Sequence, residues 1–367
     1  MREKPEPSSP KVKGSLLFTF ENIYNRVGME NNKITLVSSA VILVFLMGLL
    51  LRLAKPVFFP FFLAILFYFI LSPVLSGLMR LKIPKSIAVA LIIVTAFLLF
   101  YLLGVLFYTS GRAFAASLPD YTQRMNSVFG SIVEKFHLSR VNWDPWLWSK
   151  TLDAGKVANF FLRSMNQVFS FFSTFVLIFV FLVFMLSGRG KLKGKVERAF
   201  SHQRATKINQ IIDKIDRQVQ KYLIIKTGIS FLSGTLTMVV LLAFGVDFAV
   251  LFGFLTFLLN YIPSLGSITS MGLASVIAAF QFGSVLPALW ILLLLVGLDA
   301  VISNLLEPRV MGRGLGLSPL AVLFSLFFWG WLWGIPGMIL SVPLLAVIKI
   351  VCANVPALGP VAELMSK

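Results

Sequence analysis

The sequence contains apolar runs that are too long for a soluble core. Four of them are close to the roughly 20 helical residues that cross a hydrocarbon layer of about 30 Å. They are nearly free of charged residues and comprise Ile34–Leu51, Val57–Met79, Ser86–Tyr108 and Phe160–Leu186. The whole chain is 57% hydrophobic and 13% charged, whereas an average soluble domain is roughly 25% charged. The runs therefore predict an all-α, polytopic helical membrane protein.

The basic residues lie between the apolar runs and predict an orientation. The formal net charge is +18, and its densest block is residues 189–226, directly after the fourth run. Basic loops stay on the cytoplasmic side of a membrane, so this block is expected in the cytoplasm. Four spans separate it from the basic N-terminal tail, which is therefore expected there too. The charge then reflects contact with the lipid bilayer, and no nucleic-acid partner is predicted.

The C-terminal half has shorter apolar runs that are interrupted by proline and glycine. If Thr227–Phe244 leaves the cytoplasm and Val285–Leu306 returns to it, residues 248–282 must begin and end outside. A re-entrant hairpin that turns at Asn260–Gly266 satisfies this condition, and two short ordinary helices are the alternative. The last pair, hinged at Gly334–Gly337, either spans or re-enters, and both versions leave the C-terminus in the cytoplasm. In all, about eight membrane segments are expected, including re-entrant or broken helices.

These patterns divide the chain into consecutive segments. They are a cytoplasmic tail (1–33), three membrane spans (34–108), an extracytoplasmic helical segment (109–159), a fourth span (160–186), a basic cytoplasmic amphipathic helix (187–226), a C-terminal membrane bundle with the expected transport pathway (227–355) and a second cytoplasmic tail (356–367).

Asp299 is the most informative ionisable residue, because it lies deep within an apolar run. A charge at membrane depth costs several kcal/mol and usually marks an ion or substrate pathway. Glu307 follows two helical turns later, so both carboxylates can line a polar track with the broken segment near Asn260. The simpler alternative for Glu307 is an interfacial ion pair with Arg309. The candidate residues for the transport pathway or its coupling are Asn260, Pro263, Gly266, Asp299, Asn304, Glu307, Pro308 and Arg309.

Several kinds of chemistry are excluded by what the sequence lacks. It has one cysteine, Cys352, and two histidines that are far apart. These are too few residues for a metal site or a catalytic triad that needs several His or Cys side chains. Its glycine clusters lack the spacing of a P-loop or of a dinucleotide fingerprint. No metal site, no cofactor and no enzyme are predicted. Transport by this chain must then draw on an ion or substrate gradient, unless a separate protein supplies the energy.

From about Val57 to Val351, the chain resembles the autoinducer-2 exporter family of bacterial inner-membrane proteins. The stretches that carry the resemblance are Asn260–Ser267, Asn304–Gly312, Leu315–Pro319 and Phe328–Met338, which continues to Val342-Pro343. Weaker support comes from residues 59–64 and from the basic amphipathic helix. The chain departs from the pattern at Leu186-Ser-Gly188, where many relatives have an acidic residue, and at Asp247, where proline is common.

The resemblance implies a carrier for small molecules in the bacterial inner membrane, which is expected to form a homo-oligomer. Named members of the family export the signal autoinducer-2, and others look like sodium or lithium/proton antiporters. The sequence is therefore expected to encode a secondary transporter that exports a small polar metabolite or signal. The alternatives are a cation/proton antiporter that uses Asp299 and a membrane scaffold that transports nothing. A scaffold has no use for a buried carboxylate, which favours transport.

Overall fold

The computed structural model of the chain describes residues 38–39, 42–43, 46, 48–135, 174–188, 191–263, 265–312 and 315–367. The chain forms two compact units, Met1–Lys55 and Pro56–Lys367. In the first unit, residues 48–53 are helical. The N-terminal tail, most of the predicted span Ile34–Leu51 and the first half of Phe160–Leu186 lie outside the described residues.

Helices make up nearly all of the described part of the second unit. In chain order they are α1 (Lys55–Arg80), α2 (Lys85–Lys135), α3 (Thr174–Gly188), α4 (Lys191–Ala199), α5 (His202–Ala243), α6 (Ala249–Leu259), α7 (Leu265–Phe282), α8 (Val285–Val301), a π-helix (Ile302–Leu306), α9 (Glu307–Met311), α10 (Pro319–Trp333), α11 (Ile335–Asn354), a 3₁₀ turn (Pro356–Leu358) and α12 (Gly359–Leu364).

Six helical stretches within the described ranges are long and apolar enough to cross a membrane. They are α1, the first part of α2 (Lys85–Phe114), α5, α7, the continuous stretch Val285–Met311 and α11. Helices α3 and α4 meet at 70° and together form a seventh candidate. Large apolar side chains cover the outside of these helices, among them Phe184 at 73% and Phe231 at 67% exposure, as expected for a lipid-facing surface. The predicted polytopic helical membrane fold is confirmed.

The first helices pack around a core that positions the basic end of the molecule. Leu75 of α1, Ala88 of α2 and Leu182 of α3 are almost completely buried in this core. The Lys85 Nζ atom donates to the Ser187 carbonyl at 2.8 Å, which ties the start of α2 to the end of α3.

Helix α5 is one continuous helix of 42 residues. The sequence divides it at residue 226 into an amphipathic helix and a membrane span, but the backbone runs through this boundary without a break. Its N-terminal half packs against α4, where Lys193 and Asp213 form an ion pair at 2.5 Å. The basic half and the apolar half of α5 therefore form a single rod.

Helices α6 and α7 form an antiparallel hairpin beside α5. At its base, the Asp247 amide donates to Gln281 Oε1 and Gln281 Nε2 donates to the Gly245 carbonyl, both at 2.7 Å. Its turn lies between Leu259 and Leu265, and the core contains Phe252 and Ala274. The base lies next to the C-terminal end of α5, so the turn points back along α5. The structure contains a helical hairpin at the predicted segment, and its second helix, α7, is long and apolar enough to cross a membrane. The re-entrant course itself stays a prediction.

Helices α10 and α11 form a second hairpin, which turns at Gly334 with a φ of 77°. The Ser325 hydroxyl donates to the Ser341 carbonyl at 2.9 Å across the two helices. A Cβ on Gly337 would lie 2.0 Å from the Trp329 carbonyl oxygen, so this close approach requires glycine.

The two hairpins point in opposite directions. The open end of the second hairpin lies near Asn354, which shares a cleft with Lys214 in the basic half of α5. Its turn lies at the other end, where Trp333 packs against Phe59 and Phe62 of α1 with ring centroids 6.5 and 5.2 Å apart. The first hairpin has its open end at the apolar end of α5. One hairpin therefore enters the bundle from each side.

Candidate transport pathway

The turn of the first hairpin contacts α5 through hydrogen bonds between side chains. Asn260 Nδ2 donates to Ser230 Oγ at 3.1 Å, and the Tyr261 hydroxyl lies 2.7 Å from Thr227 Oγ1. Asn260 and Tyr261 are each only 7% exposed. Polar groups this far from water are costly unless they are paired, so these bonds fix the position of the turn. Helix α6 has only 11 residues and spans about 16 Å, which is about half of a hydrocarbon layer of roughly 30 Å.

An ion pair extends this contact to a third helix. Lys226 Nζ lies 2.8 Å from Glu307 Oε1, with side-chain exposures of 7% and 20%. Lys226 is on α5 one residue before Thr227, and Glu307 begins α9. We call the six residues that meet here the tip cluster: Lys226, Thr227, Ser230, Asn260, Tyr261 and Glu307. It joins α5, the turn of the first hairpin and α9.

The polar face of α5 continues beyond the tip cluster. Lys226, Ser230, Ser233 and Thr237 are buried and recur at helical spacing, so they form one stripe along the rod. The Ser233 hydroxyl is buried and has no hydrogen-bond partner among the described residues. The stripe therefore offers an unused hydroxyl one turn from the Ser230–Asn260 contact.

Two glycines let the hairpin approach this polar face closely. A Cβ on Gly234 would lie 2.5 Å from the Gly253 carbonyl oxygen, and a Cβ on Gly253 would lie 2.7 Å from that of Gly234. The backbones of α5 and α6 consequently touch. The small residues of α6 are used for packing within the chain.

A π-helix sets the register of the returning helix. In Ile302–Leu306 the Glu307 amide donates to the Ile302 carbonyl five residues earlier. Glu307 is eight residues after Asp299, and the π-helix adds one residue without adding a turn. Glu307 therefore has the rotational position of a residue seven positions after Asp299 in a regular α-helix, and the two carboxylates lie on nearly the same face. Short π-helices of this kind are frequent at functional sites.

The structure brings only some of the predicted site residues together. Asn260 and Glu307 both belong to the tip cluster, and Lys226 connects them through α5. Glu307 pairs with Lys226 rather than with Arg309, the partner considered from sequence. Pro263 is in the hairpin turn, where its carbonyl accepts from the Leu265 amide at 2.7 Å.

The remaining predicted residues have different surroundings. A Cβ on Gly266 would lie 1.7 Å from the Leu259 carbonyl oxygen, which gives this glycine a packing role at the turn. Asp299 is half-buried and accepts a long hydrogen bond of 3.4 Å from Ser303 on the same helix. The side chains of Asn304, Pro308 and Arg309 are exposed.

Sequence reasoning missed most of the tip cluster. The sequence pattern assigns Lys226 to the basic cytoplasmic block and does not distinguish Thr227, Ser230 or Tyr261 from their neighbours. A usable signal was present, because small polar residues recur every three or four positions within the apolar run Thr227–Phe244. Such a stripe predicts a polar face within a membrane span.

A second polar contact closes the base of the first hairpin. The Tyr121 hydroxyl donates to Asp247 Oδ2 at 2.6 Å, and Arg124 donates to the Gln281 carbonyl. Burial and the bond to the Asp247 carboxylate raise the pKa of the Tyr121 phenol well above its ordinary value. Tyr121 and Arg124 lie on the part of α2 beyond Phe114, which therefore holds both ends of the hairpin. We call this contact the base latch.

Comparisons with known proteins match most of the chain to transport proteins. The family model described as AI-2E family transporter matches residues 40–357. The chain is 32% identical over 305 residues to a putative transport protein of Borreliella burgdorferi, covering 83% of each chain. It is 31% identical over 342 residues to a putative transport protein of Haemophilus influenzae, covering 89% of this chain and 95% of the relative.

A further relative carries a more specific name. The AI-2 transport protein TqsA of Escherichia coli is 29% identical over 318 residues, covering 86% of this chain and 91% of the relative. The family match, the length of these alignments and the bundle of apolar helices agree with one another. The chain is a multi-pass membrane protein that belongs to the AI-2E transporter family.

Proposed function

We propose that the chain is a secondary transporter that exports a small polar metabolite or signal, of the autoinducer-2 type, across the bacterial inner membrane. The observation that carries this proposal is the tip cluster, a buried polar contact in which a hairpin turn, α5 and Glu307 meet. Such positions, where non-helical backbone is shielded from lipid, are where transporters hold their substrates. The similarity to a relative named as an AI-2 transport protein supports the substrate class.

The tip cluster has the chemistry to replace the water around a polar solute. Asn260 supplies an amide, Tyr261 supplies a hydroxyl, and the pair of Lys226 and Glu307 supplies a cation and an anion, while Ser233 offers a further hydroxyl on the adjoining stripe. A molecule with several hydroxyl groups loses its hydrogen bonds to water when it enters a membrane, which is costly unless protein groups replace them. A substrate that bonds to Asn260 or Tyr261 would compete with Ser230 and Thr227 for the same groups and loosen the turn.

The proposal includes an orientation and an assembly. Both termini and the basic half of α5 lie in the cytoplasm, so the first hairpin enters from outside and the second from the cytoplasm. Support for this orientation comes from the basic residues at one end of the rod. We also expect a homo-oligomer, for which the mass of the purified protein in a membrane mimetic is the test.

Flux measurements on purified protein test the proposed pathway. The full chain is placed in liposomes loaded with a small polyhydroxylated signal, and release is followed for the wild type and for Asn260→Leu. Loss of the amide breaks the contact with Ser230, and flux is expected to fall by at least about tenfold. Thr269→Val is the matched control, because this exposed α7 residue bonds only to its own helix through the Leu265 carbonyl, at 2.7 Å. Normal flux through correctly inserted Asn260→Leu would reject this pathway.

Cation/proton antiport is the second candidate, favoured by the π-helix that aligns Asp299 with Glu307. A carboxylate that exchanges protons with the cargo should make transport respond to an imposed proton gradient. Asp299→Asn is then expected to abolish this response, whereas Glu363→Gln, an exposed change in α12, should retain it. If both variants respond like the wild type, Asp299 is not a proton carrier. If no tested solute or ion moves at all, the scaffold alternative is favoured.

A further inference from the structure

A cleft in the basic half of α5 lies outside the proposed pathway. It has a volume of about 530 Å³ and is lined by Lys207, Gln210, Ile211, Lys214, Arg217, Gln218 and Asn354. All of these residues except Asn354 recur at helical spacing on one face of α5, and Asn354 is the last residue of α11. We call it the basic cleft. Its three cations converge on a single concave surface with no acidic residue among its lining side chains.

Acidic residues flank the basic cleft on α5 but do not line it. Asp213 and Asp216 are adjacent in sequence to Lys214 and Arg217, and the Asp213 carboxylate is paired with Lys193 of α4 at 2.5 Å. Lys207, Lys214 and Arg217 are exposed, so the positive charge faces outward. The Asn354 amide nitrogen donates to the Ile350 carbonyl at 2.7 Å, which fixes the side chain at the edge of the cleft. The surface is therefore built to attract an anion.

The position of the basic cleft favours a lipid headgroup over a free ion as the anion that it binds. It lies where the candidate span Ile335–Asn354 ends, which is the level of the lipid headgroups. Apolar surface leads away from it on both helices. On α5, Ile224 and Phe231 follow Arg217 at seven-residue intervals and are 44% and 67% exposed. On α11, Val351 and Ile348 precede Asn354 at three-residue intervals and are 40% and 39% exposed.

We propose that the basic cleft binds the phosphate headgroup of an anionic phospholipid, whose acyl chains lie along the exposed apolar surface of α5 and α11. A soluble phosphate ion would use the cations but not the adjoining apolar surface. A zwitterionic lipid would use the apolar surface but brings its own cation to the cleft. An anionic lipid uses both, since phosphate and basic side chains attract one another strongly where solvent is partly excluded.

Thermal unfolding of the full chain in detergent tests this proposal. Phosphatidylglycerol, phosphatidylcholine and inorganic phosphate are each titrated, and the apparent affinity is the concentration that gives half of the maximal rise in Tm. Phosphatidylglycerol is expected to raise the Tm of the wild type at much lower concentration than either of the others. An equal effect of inorganic phosphate would overturn the lipid assignment, and an equal effect of phosphatidylcholine would overturn the role of charge.

Matched variants separate this cleft from the general attraction of a basic protein to anionic lipid. The cleft variant Lys207→Gln/Lys214→Gln/Arg217→Gln and the control variant Lys191→Gln/Lys195→Gln/Arg204→Gln each lose three positive charges. The affinity for phosphatidylglycerol is expected to fall by more than about tenfold in the cleft variant and by less than about twofold in the control. Lys214→Gln alone is expected to lower it about fivefold. Equal losses in the two triple variants would overturn the proposal.

Discussion

Lys226 Nζ and Glu307 Oε1 lie 2.8 Å apart and join two helices whose residues are separated by 81 positions in the sequence. The Lys226 side chain is almost completely buried, so this cation depends on Glu307 for most of its compensation. Removing one member of a buried ion pair leaves an uncompensated charge, which costs more than removing both. The pair thus holds α5 and α9 together, and removing either charge is expected to lower the stability of the bundle.

The first prediction concerns this ion pair. Glu307→Gln is expected to destabilise the protein by about 2 to 3 kcal/mol, because Lys226 is left buried without its anion. The double variant Lys226→Met/Glu307→Gln should recover part of this loss, since no unpaired charge remains. Thermal unfolding in detergent measures these two variants and Lys226→Met alone, and a double variant as unstable as the sum of the two single variants would show that the two residues are not coupled.

The second prediction concerns the turn of the first hairpin. Gly266→Ala adds a methyl group 1.7 Å from the Leu259 carbonyl oxygen, so the two helices must separate. A loss of about 3 kcal/mol in stability, or of assembled protein, is expected. Gly272→Ala in the same helix is the control, because a Cβ there has nothing within 4 Å. If both variants assemble equally well, the close packing at the turn does not exist as described.

The third prediction concerns the base latch. Tyr121→Phe removes the hydrogen bond to Asp247 and is expected to cost about 1 kcal/mol, since the exposed carboxylate can bond to water instead. Tyr101→Phe, an exposed tyrosine on the same helix, should change little. Both effects are read from the Tm near neutral pH.

The latch also predicts a pH dependence. The pKa of Tyr121 is raised in the folded protein above the ordinary value of 10.0, so the folded state holds this proton more tightly than the unfolded state. The resulting stability is complete below about pH 10 and is lost as the pH rises toward the folded pKa. The Tm of the wild type should therefore fall more steeply above pH 10 than that of Tyr121→Phe. Parallel curves would contradict this.

The fourth prediction concerns orientation. In a Cys352→Ala background, a cysteine at position 202 is expected to react with an impermeant reagent only from the cytoplasm, and one at position 126 only from outside. His202 begins the basic half of α5, and Asn126 lies on the part of α2 beyond Phe114. The reverse pattern of labelling would invert the proposed direction of both hairpins.

Some of this architecture could be predicted because it depends on local composition. The apolar runs predict the helices, and Asn260 with Pro263 marks a break that a membrane tolerates only inside protein. The parity of the spans then requires a hairpin whose ends share one side. None of these inferences needs knowledge of which helices touch.

The tip cluster could not be predicted, because its residues meet only through packing. Arg309 is two residues from Glu307, so the sequence favours it as the ion-pair partner. Lys226 becomes the ion-pair partner only because α5 and α9 pack together. The π-helix is equally invisible, since Ile302–Leu306 has no residue pattern that distinguishes it from an α-helix. The composition changes at residue 226, which predicts the end of the amphipathic helix there. The residues on both sides of this position are helical, so the helix continues without a break.

The opposed hairpins also have a consequence for how the protein is made. Neither α6 nor α10 is long enough to remain across the bilayer alone, since they have 11 and 15 residues against the roughly 20 required. A ribosome that releases them one at a time would leave the polar turn at Asn260 and Tyr261 in lipid without a partner. Each hairpin must therefore enter as a pair, and the first must enter after α5 is already in place to receive it. We therefore expect the rod formed by α5 to act as a template during insertion, so that changes along its polar stripe reduce the yield of inserted protein before they affect the finished molecule.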